Sequence, residues 1–505
     1  MASMIKNPST LGTDPEKDAE RWDDAHESEK SHLQSNSTMS RIMDNLCRWG
    51  VEARGILPVG LDERVGHPFS KIFFVWFSMN TNILSFSAGT LGPVVFGLGL
   101  RDTCLTILFF NLLCCAPPAY IGTWGPKLGM RQMIISRFSF GYYGVILPCI
   151  MNLIGMVGFC ILNSILGGQA LASVSDGDLS WTVGIVVIVI ISLLVSFCGY
   201  NVLNWYERLA WIPVLITYVI ALGVGGKHLF NPPPAEPATA ASILSFASTL
   251  AGFAITYSSL SSDFTSYFQP NVSSWKLFWA GYLGFLLPIV TLQCLGAAVV
   301  VATPFVPSWE EGYSGGDVGG LLHAMLSPVG NFGKFLTVLL SLSVAANIAA
   351  TFYSFSINIQ VFMPFLLGVP RYVFSLVAAA VVVPVSIVGA HRFYDTIVNF
   401  LGLIGYWASA YVAIIMIEHL YFRRNDPAAY DKQNWNIPSK LPSGIAALAA
   451  GIMSFGIVIP CMHQVWYTGP IGKTAGDIGF EVAFVAAGIL YFPFRYMEIR
   501  YKGMY

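Results

Sequence analysis

The chain has 505 residues, 55% of them hydrophobic and 11% charged, with a formal net charge of −1 from 27 basic and 28 acidic side chains. Soluble domains carry about 25% charged residues, so this composition excludes a water-soluble globular particle. The balanced charge also excludes a broad basic surface for nucleic acid.

Residues 1–70 are polar and rich in Asp, Glu, Lys and Ser. They read as a largely disordered cytosolic tail with no cleavable signal peptide. Long apolar stretches follow, and a helix needs roughly 20 apolar residues to cross the hydrocarbon core. Backbone polar groups in lipid must pair internally, so such stretches are helices. Twelve spans are expected, at 71–97, 101–122, 140–168, 179–199, 207–226, 242–265, 276–303, 332–358, 370–389, 393–420, 443–463 and 475–496. Spans 1–5 (71–226) and 6–10 (242–420) make two five-helix halves. Two additional spans occupy 443–496, and residues 497–505 form a short tail.

Basic residues set the orientation. Lys127, Arg131 and Arg137 follow span 2, Arg423, Arg424, Lys432 and Lys440 follow span 10, and Arg495, Arg500 and Lys502 sit near the C-terminus. Placing these segments inside makes both termini cytosolic. The Asn36-Ser37-Thr38 and Asn271-Val272-Ser273 glycosylation patterns then face the cytosol and read as chance matches.

Span 1 contains Leu84-Ser85-Phe86-Ser87-Ala88-Gly89-Thr90-Leu91-Gly92-Pro93, where glycines, hydroxyls and a proline interrupt an apolar helix. Span 6 repeats the character in Gly252-Phe253-Ala254-Ile255-Thr256-Tyr257-Ser258-Ser259 and ends near Asp263. Glycine and proline are common in membrane helices, but paired interruptions at corresponding places in two halves point to a solute site at the midplane. In span 3, Phe159 and Asn163 are four apart and share a face. The aromatic can stack on a flat solute, and the amide can donate to and accept from its edge. Asn347 is a buried amide among small residues in span 8. Asn163 and Asn347 serve equally well as interhelical glue. Carboxylates in spans are rare, and Glu207 and Asp263 stand out as proton-linked candidates, with interfacial pairing the alternative.

The nine cysteines show no disulfide framework or metal-ligand spacing. No metal site, cofactor motif or catalytic constellation is visible, so the chain reads as a transporter and not an enzyme. The absence of a phosphate-binding loop leaves facilitated or ion-coupled movement.

Several segments resemble the nucleobase–cation symporter-1 family, in its fungal purine–cytosine permease branch. They are Val51-Glu52-Ala53-Arg54-Gly55-Ile56, Ser78-Met79-Asn80-Thr81-Asn82 through Gly92-Pro93, Gly125-Pro126-Lys127-Leu128-Gly129-Met130-Arg131-Gln132 to Gly141, Asn204-Trp205-Tyr206-Glu207-Arg208 and Ser262-Asp263-Phe264-Thr265. The resemblance implies an all-α polytopic membrane protein of the LeuT type: about twelve transmembrane helices, with a 5+5 inverted repeat plus two extra helices. It implies alternating access, with solute held between spans 1, 3, 6 and 8. Carried onto this chain, it puts Ser85 at the span 1 break, Phe159 and Asn163 in span 3, and Asn347 at the polar position of span 8. Phe253 and Tyr257 stand where the family often has a tryptophan. Span 8 lacks the family's proline and most of its asparagines, and Ser341-Leu342-Ser343 lacks the adjacent hydroxyls of sodium-coupled relatives.

The resulting expectation is proton-coupled uptake of cytosine and purines such as adenine, guanine and hypoxanthine across the plasma membrane. The partners are a small nucleobase, a proton and the lipid bilayer, with no nucleic acid and no oligomeric state implied. A permease for uracil, allantoin or another ring is the alternative, followed by a non-transporting nutrient sensor on the same scaffold.

Overall fold

The computed structural model describes residues 56–502 except 65, 67, 176–177, 198–208, 231, 364–365, 367–368 and 370. Among these residues the secondary structure is helical, with an isolated bridge between His463 and Thr468 and no strand. Among the described residues, nine helices are long and apolar enough to cross a membrane, and they correspond to spans 2, 3, 5, 6, 7, 8, 9, 10 and 12. Three shorter pieces complete the expected set. Trp181–Phe197 and Ile445–Cys461 are each 17 residues long, about 25 Å at 1.5 Å per residue. Span 1 is the third, built from two helices, Ser70–Asn80 and Ile83–Val94.

That break lies earlier than the glycine-and-proline run suggests. The run from Leu84 to Pro93 is regular helix, and the chain unwinds at Thr81 and Asn82 instead. Asn82 adopts an extended conformation, and its Oδ1 accepts from Ser85 N–H at 3.0 Å, an N-cap that restarts the helix. Pro93 sits in the last turn, where little remains to be broken. The glycines serve packing: a Cβ at Gly89 would collide with the Gln293 carbonyl of span 7, Ser274–Ala302. Ser85 therefore stands three residues beyond the break, in the first turn of the second half.

Span 3 also departs from the expected 140–168. The helix proper is Ile146–Ser173, preceded by a separate helix Gln132–Gly144. The sharp change of direction lies within that preceding helix, at Gly141, whose φ of 73° kinks it three residues before its end. A side chain there would also meet the Pro442 carbonyl, because the chain leading into span 11 crosses at that point. Span 6 is helical over Ala240–Ile255 and continues as two 3₁₀ turns, Thr256–Ser259 and Ser261–Phe264. A short helix the sequence reading did not place, Val318–Leu326, precedes span 8, Asn331–Phe362.

Packing follows the membrane's rules. Exposed Phe109, Val388 and Ile452 lie on spans 2, 9 and 11, as lipid-facing residues do. Spans 3 and 8 pack extensively on each other, as do spans 1 and 7 and spans 10 and 12. Arg495, counted with the tail charges by sequence, lies inside the span 12 helix Gly479–Lys502 and is fully buried. Its Nε and Nη2 each bond Glu418 at 3.0 Å, and Glu418 also takes Arg423 Nε at 3.0 Å and Tyr491 Oη at 2.8 Å. Glu418 thus pairs with the loop arginine Arg423 and with one 77 residues away.

Candidate functional site

The helix breaks bring polar backbone to the centre of the bundle. At the span 1 break, the Asn82 side chain donates to the Met79 carbonyl at 2.7 Å and Ser85 Oγ donates to the Asn80 carbonyl at 2.6 Å. Across the gap, Asn347 Nδ2 of span 8 donates to the same Met79 carbonyl at 3.1 Å. Asn347 Oδ1 in turn accepts from Asn163 Nδ2 at 3.3 Å, while that nitrogen also bonds the Phe159 carbonyl at 2.9 Å. A chain of amides therefore runs from span 3 through span 8 to the broken span 1.

A cavity of about 40 Å³ opens beside this chain, walled by Met79, Phe159, Tyr257 and Asn347 and by Asn152 and Trp407. The rings of Phe159 and Tyr257 lie 24° from parallel with centroids 6.3 Å apart. Carbon surfaces pack at about 3.5–4.0 Å, so a flat ring between two aromatic faces needs about 7–8 Å. Parting the two rings by an ångström or so would admit one. Phe159 is held from behind by Phe253, edge-on at 6.2 Å, and by Phe400, edge-on at 5.3 Å. Tyr257 Oη donates to Asn80 Oδ1 at 3.2 Å, tying its ring to the span 1 break.

The expected site residues thus separate into two groups. Phe159, Tyr257 and Asn347 line the cavity. Asn163, Ser85 and Phe253 are fully buried one layer away, where Asn163 orients Asn347, Ser85 binds the broken backbone and Phe253 backs Phe159. Of the two span 6 aromatics, Tyr257 is the one beside the cavity. Sequence reasoning passed over Asn152 and Trp407. An interior amide two turns before Gly158-Phe159 was a readable signal for the first; nothing local marked the second among the aromatics of span 10.

The two carboxylate candidates fare differently. Glu207 lies outside the described residues. Asp263 sits in the turn beyond Ser259, about nine-tenths buried, and its Oδ1 accepts from the Gln132 backbone N–H at 2.7 Å. Arg131 Nη1 bonds the Asp263 carbonyl at 2.8 Å. In span 8, Ser341 Oγ donates to the Gly167 carbonyl at 2.7 Å and Ser343 Oγ to the Leu340 carbonyl at 2.6 Å. At the opposite end of span 10 from Glu418, Tyr394 Oη bonds Thr90 Oγ1 of span 1 at 3.1 Å and also meets the Tyr313 hydroxyl.

The fold and the sequence match known proteins along most of their length. The structure superimposes on Mhp1, a nucleobase-cation-symport-1 family transporter, with bromovinylhydantoin bound in a closed conformation, at TM-score 0.69 and 17% identity. The match covers 88% of this chain and 96% of that one. The inward facing conformation of Mhp1 matches equally well, at 0.69. The LeuT-type architecture is therefore the fold of this protein. In sequence, the chain is 36% identical over 476 residues to the purine-cytosine permease fcyB of Emericella nidulans, covering 93% of each. It is 34% identical to the purine-cytosine permease FCY2 of Saccharomyces cerevisiae, over 90% of this chain and 87% of that one. The vitamin B6 transporter TPN1 of the same yeast is 27% identical over 512 residues. Residues 58–469 match the family described as "Permease for cytosine/purines, uracil, thiamine, allantoin", and the chain belongs to that family of multi-pass membrane transporters.

Proposed function

We propose that this protein takes up cytosine and purine nucleobases, coupled to protons, across the plasma membrane by alternating access. The observation that carries this reading is the cavity itself: two near-parallel aromatic rings, an amide that both donates and accepts, and a broken helix supplying carbonyls, in a relative of purine-cytosine permeases. Phe159 and Tyr257 hold the two faces of the base, and Asn347 reads its edge. Asn163 holds Asn347 in register, Phe253 steadies Phe159, and Ser85 stabilises the break. Residues 71–226 and 242–420 act as the two inverted repeats, with 443–496 as supporting helices and both termini in the cytosol. The Tyr394 link to Thr90 closes the extracellular end in this conformation.

Asp263 is the proton-linked group within reach of a mechanism. Protonation would remove the charge that the Gln132 N–H now meets and loosen the loop after span 2 from the end of span 6. Glu207 is the second candidate. The span 8 hydroxyls are engaged with carbonyls, which favours proton over sodium coupling. The similarity to a vitamin B6 transporter supports one alternative, a permease for another planar heterocycle on the same stacking site.

The test is uptake of labelled cytosine into permease-deficient cells expressing this chain, at two pH values, with and without sodium, and with unlabelled bases as competitors. Saturable uptake that rises with acidity, ignores sodium and is blocked by adenine is the expected result. A correctly delivered protein that takes up pyridoxine or allantoin but no nucleobase would replace the substrate assignment.

A further inference from the structure

Span 3 presents Asn152, Gly155 and Phe159 at i, i+3 and i+7, one face of one helix, and all three line the cavity. Gly155 is buried, yet a Cβ built there would meet no atom within 4 Å. The cavity therefore runs as a slot along span 3 from Phe159 past Gly155 to Asn152, with Trp407 of span 10 also on its wall. Asn152 and Trp407 are each more than nine-tenths buried. Asn152 Oδ1 accepts from Ser259 Oγ at 2.6 Å, which leaves the Nδ2 side of that amide without a partner. The indole Nε1–H of Trp407, which can only donate, has no partner either. Buried N–H groups are nearly always paired in native structures, and here two unpaired ones belong to the wall of one slot.

We propose that Asn152 and Trp407 are specificity-determining residues that donate hydrogen bonds to the acceptor edge of a flat heterocycle lying over Gly155. The ligand class is a ring bearing unprotonated ring nitrogens or a carbonyl oxygen on one edge, with its other end between Phe159 and Tyr257. The inference rests on the nucleobase reading and deepens it. It assigns selection for acceptor atoms to the donor-rich end of the slot and selection for flatness to the aromatic end.

The experiment compares uptake of labelled hypoxanthine, in permease-deficient cells, with competition by deaza analogues in which one ring nitrogen is replaced by C–H. Surface labelling normalises each variant for delivery. In the parent protein, the analogue missing the recognised nitrogen should compete roughly tenfold more weakly than hypoxanthine, the scale of one buried hydrogen bond. Trp407→Phe and Asn152→Leu should each weaken hypoxanthine by about the same factor and leave unchanged the analogue lacking the acceptor that its own donor recognises, erasing that one difference. Gly155→Leu should fill the slot and abolish uptake of both compounds without loss from the surface. Variants that keep full discrimination, or weaken both compounds equally, would reduce Asn152 and Trp407 to packing residues. Should one variant fail to reach the surface, the other still tests the proposal through its own donor. A parent protein that takes up no nucleobase would sink the functional reading itself, and this inference with it.

Discussion

Two buried polar clusters in this protein are built on opposite principles. Around Glu418, both carboxylate oxygens are occupied, by Arg423 and Arg495 on one and by Arg495 and Tyr491 on the other. The remaining nitrogens of Arg423 reach the Ala429 and Phe138 carbonyls, and Arg495 Nη1 reaches Glu498. Around the central cavity, Asn152 Nδ2, Trp407 Nε1 and Asn163 Oδ1 are all buried without partners. A buried group left unpaired costs about 1–3 kcal/mol, so the second cluster carries a standing penalty that the first avoids. Complete pairing makes a clamp between spans 10 and 12. Incomplete pairing leaves capacity for something else to bind.

The contrast can be broken most forcefully at the clamp. Glu418→Ala strands two buried guanidinium groups and should cost about 3–5 kcal/mol. The expected outcome is a large drop in the thermal unfolding temperature of the purified protein and little delivery to the cell surface. At the cavity the effects should fall on transport instead. Phe159→Leu keeps bulk but removes a flat face; stacking of a base on an aromatic is worth about 1–3 kcal/mol. Uptake should weaken by one to two orders of magnitude on that principle, with surface abundance near that of the parent. Asn347→Ala removes the amide shared by spans 1 and 8, for about 1–3 kcal/mol, and Asn163→Ala should follow in the same direction because it acts through Asn347. Loss of surface delivery in both amide variants would mark the pair as interhelical glue.

Asp263 sharpens the comparison through pH. Asp263 is a buried carboxylate whose Oδ1 meets the Gln132 N–H, so proton binding there would change that contact. Uptake should increase as pH falls, and Asp263→Asn should flatten that rise. Retention of the full pH profile in the variant would pass the role to another group. Smallest of all, Tyr257→Phe deletes one hydroxyl bonded to Asn80 and should cost about 0.5–1.5 kcal/mol, read as a modest rise in the half-saturating concentration with unchanged maximal uptake.

Much of this architecture was legible in the sequence because membrane helices advertise themselves by length and apolarity. The twelve spans needed little more than counting. The break in span 1 was harder: Gly89, Gly92 and Pro93 resemble helix breakers, yet in lipid glycines also serve close helix approach. The true signal was the capping residue Asn82 with its bond to Ser85, three positions on. Gly141 carried a similar ambiguity, resolved by a contact with Pro442 some 300 residues away that no local pattern contains. The pairing of Phe159 with a broken span 6 was readable from spacing, whereas Asn163 could be lining or support until its bond to Asn347 placed it behind. Trp407 was unreadable for a simple reason. Whether an indole N–H finds a partner depends on which helix faces it, and that is decided by the bundle and not by the neighbours in the chain.

The glycine contacts along the broken helices carry a mechanical consequence. Gly89 leaves its span 1 backbone directly against the span 7 backbone at Gln293, and Gly252 sets span 6 against the backbone of span 10 at Leu401 in the same way. Side chains between helices can change rotamer and act as bearings, but bare backbone cannot. Each broken helix is therefore geared to its partner at that point, and any movement of one must carry the other with it, as a hinge carries both leaves of a door.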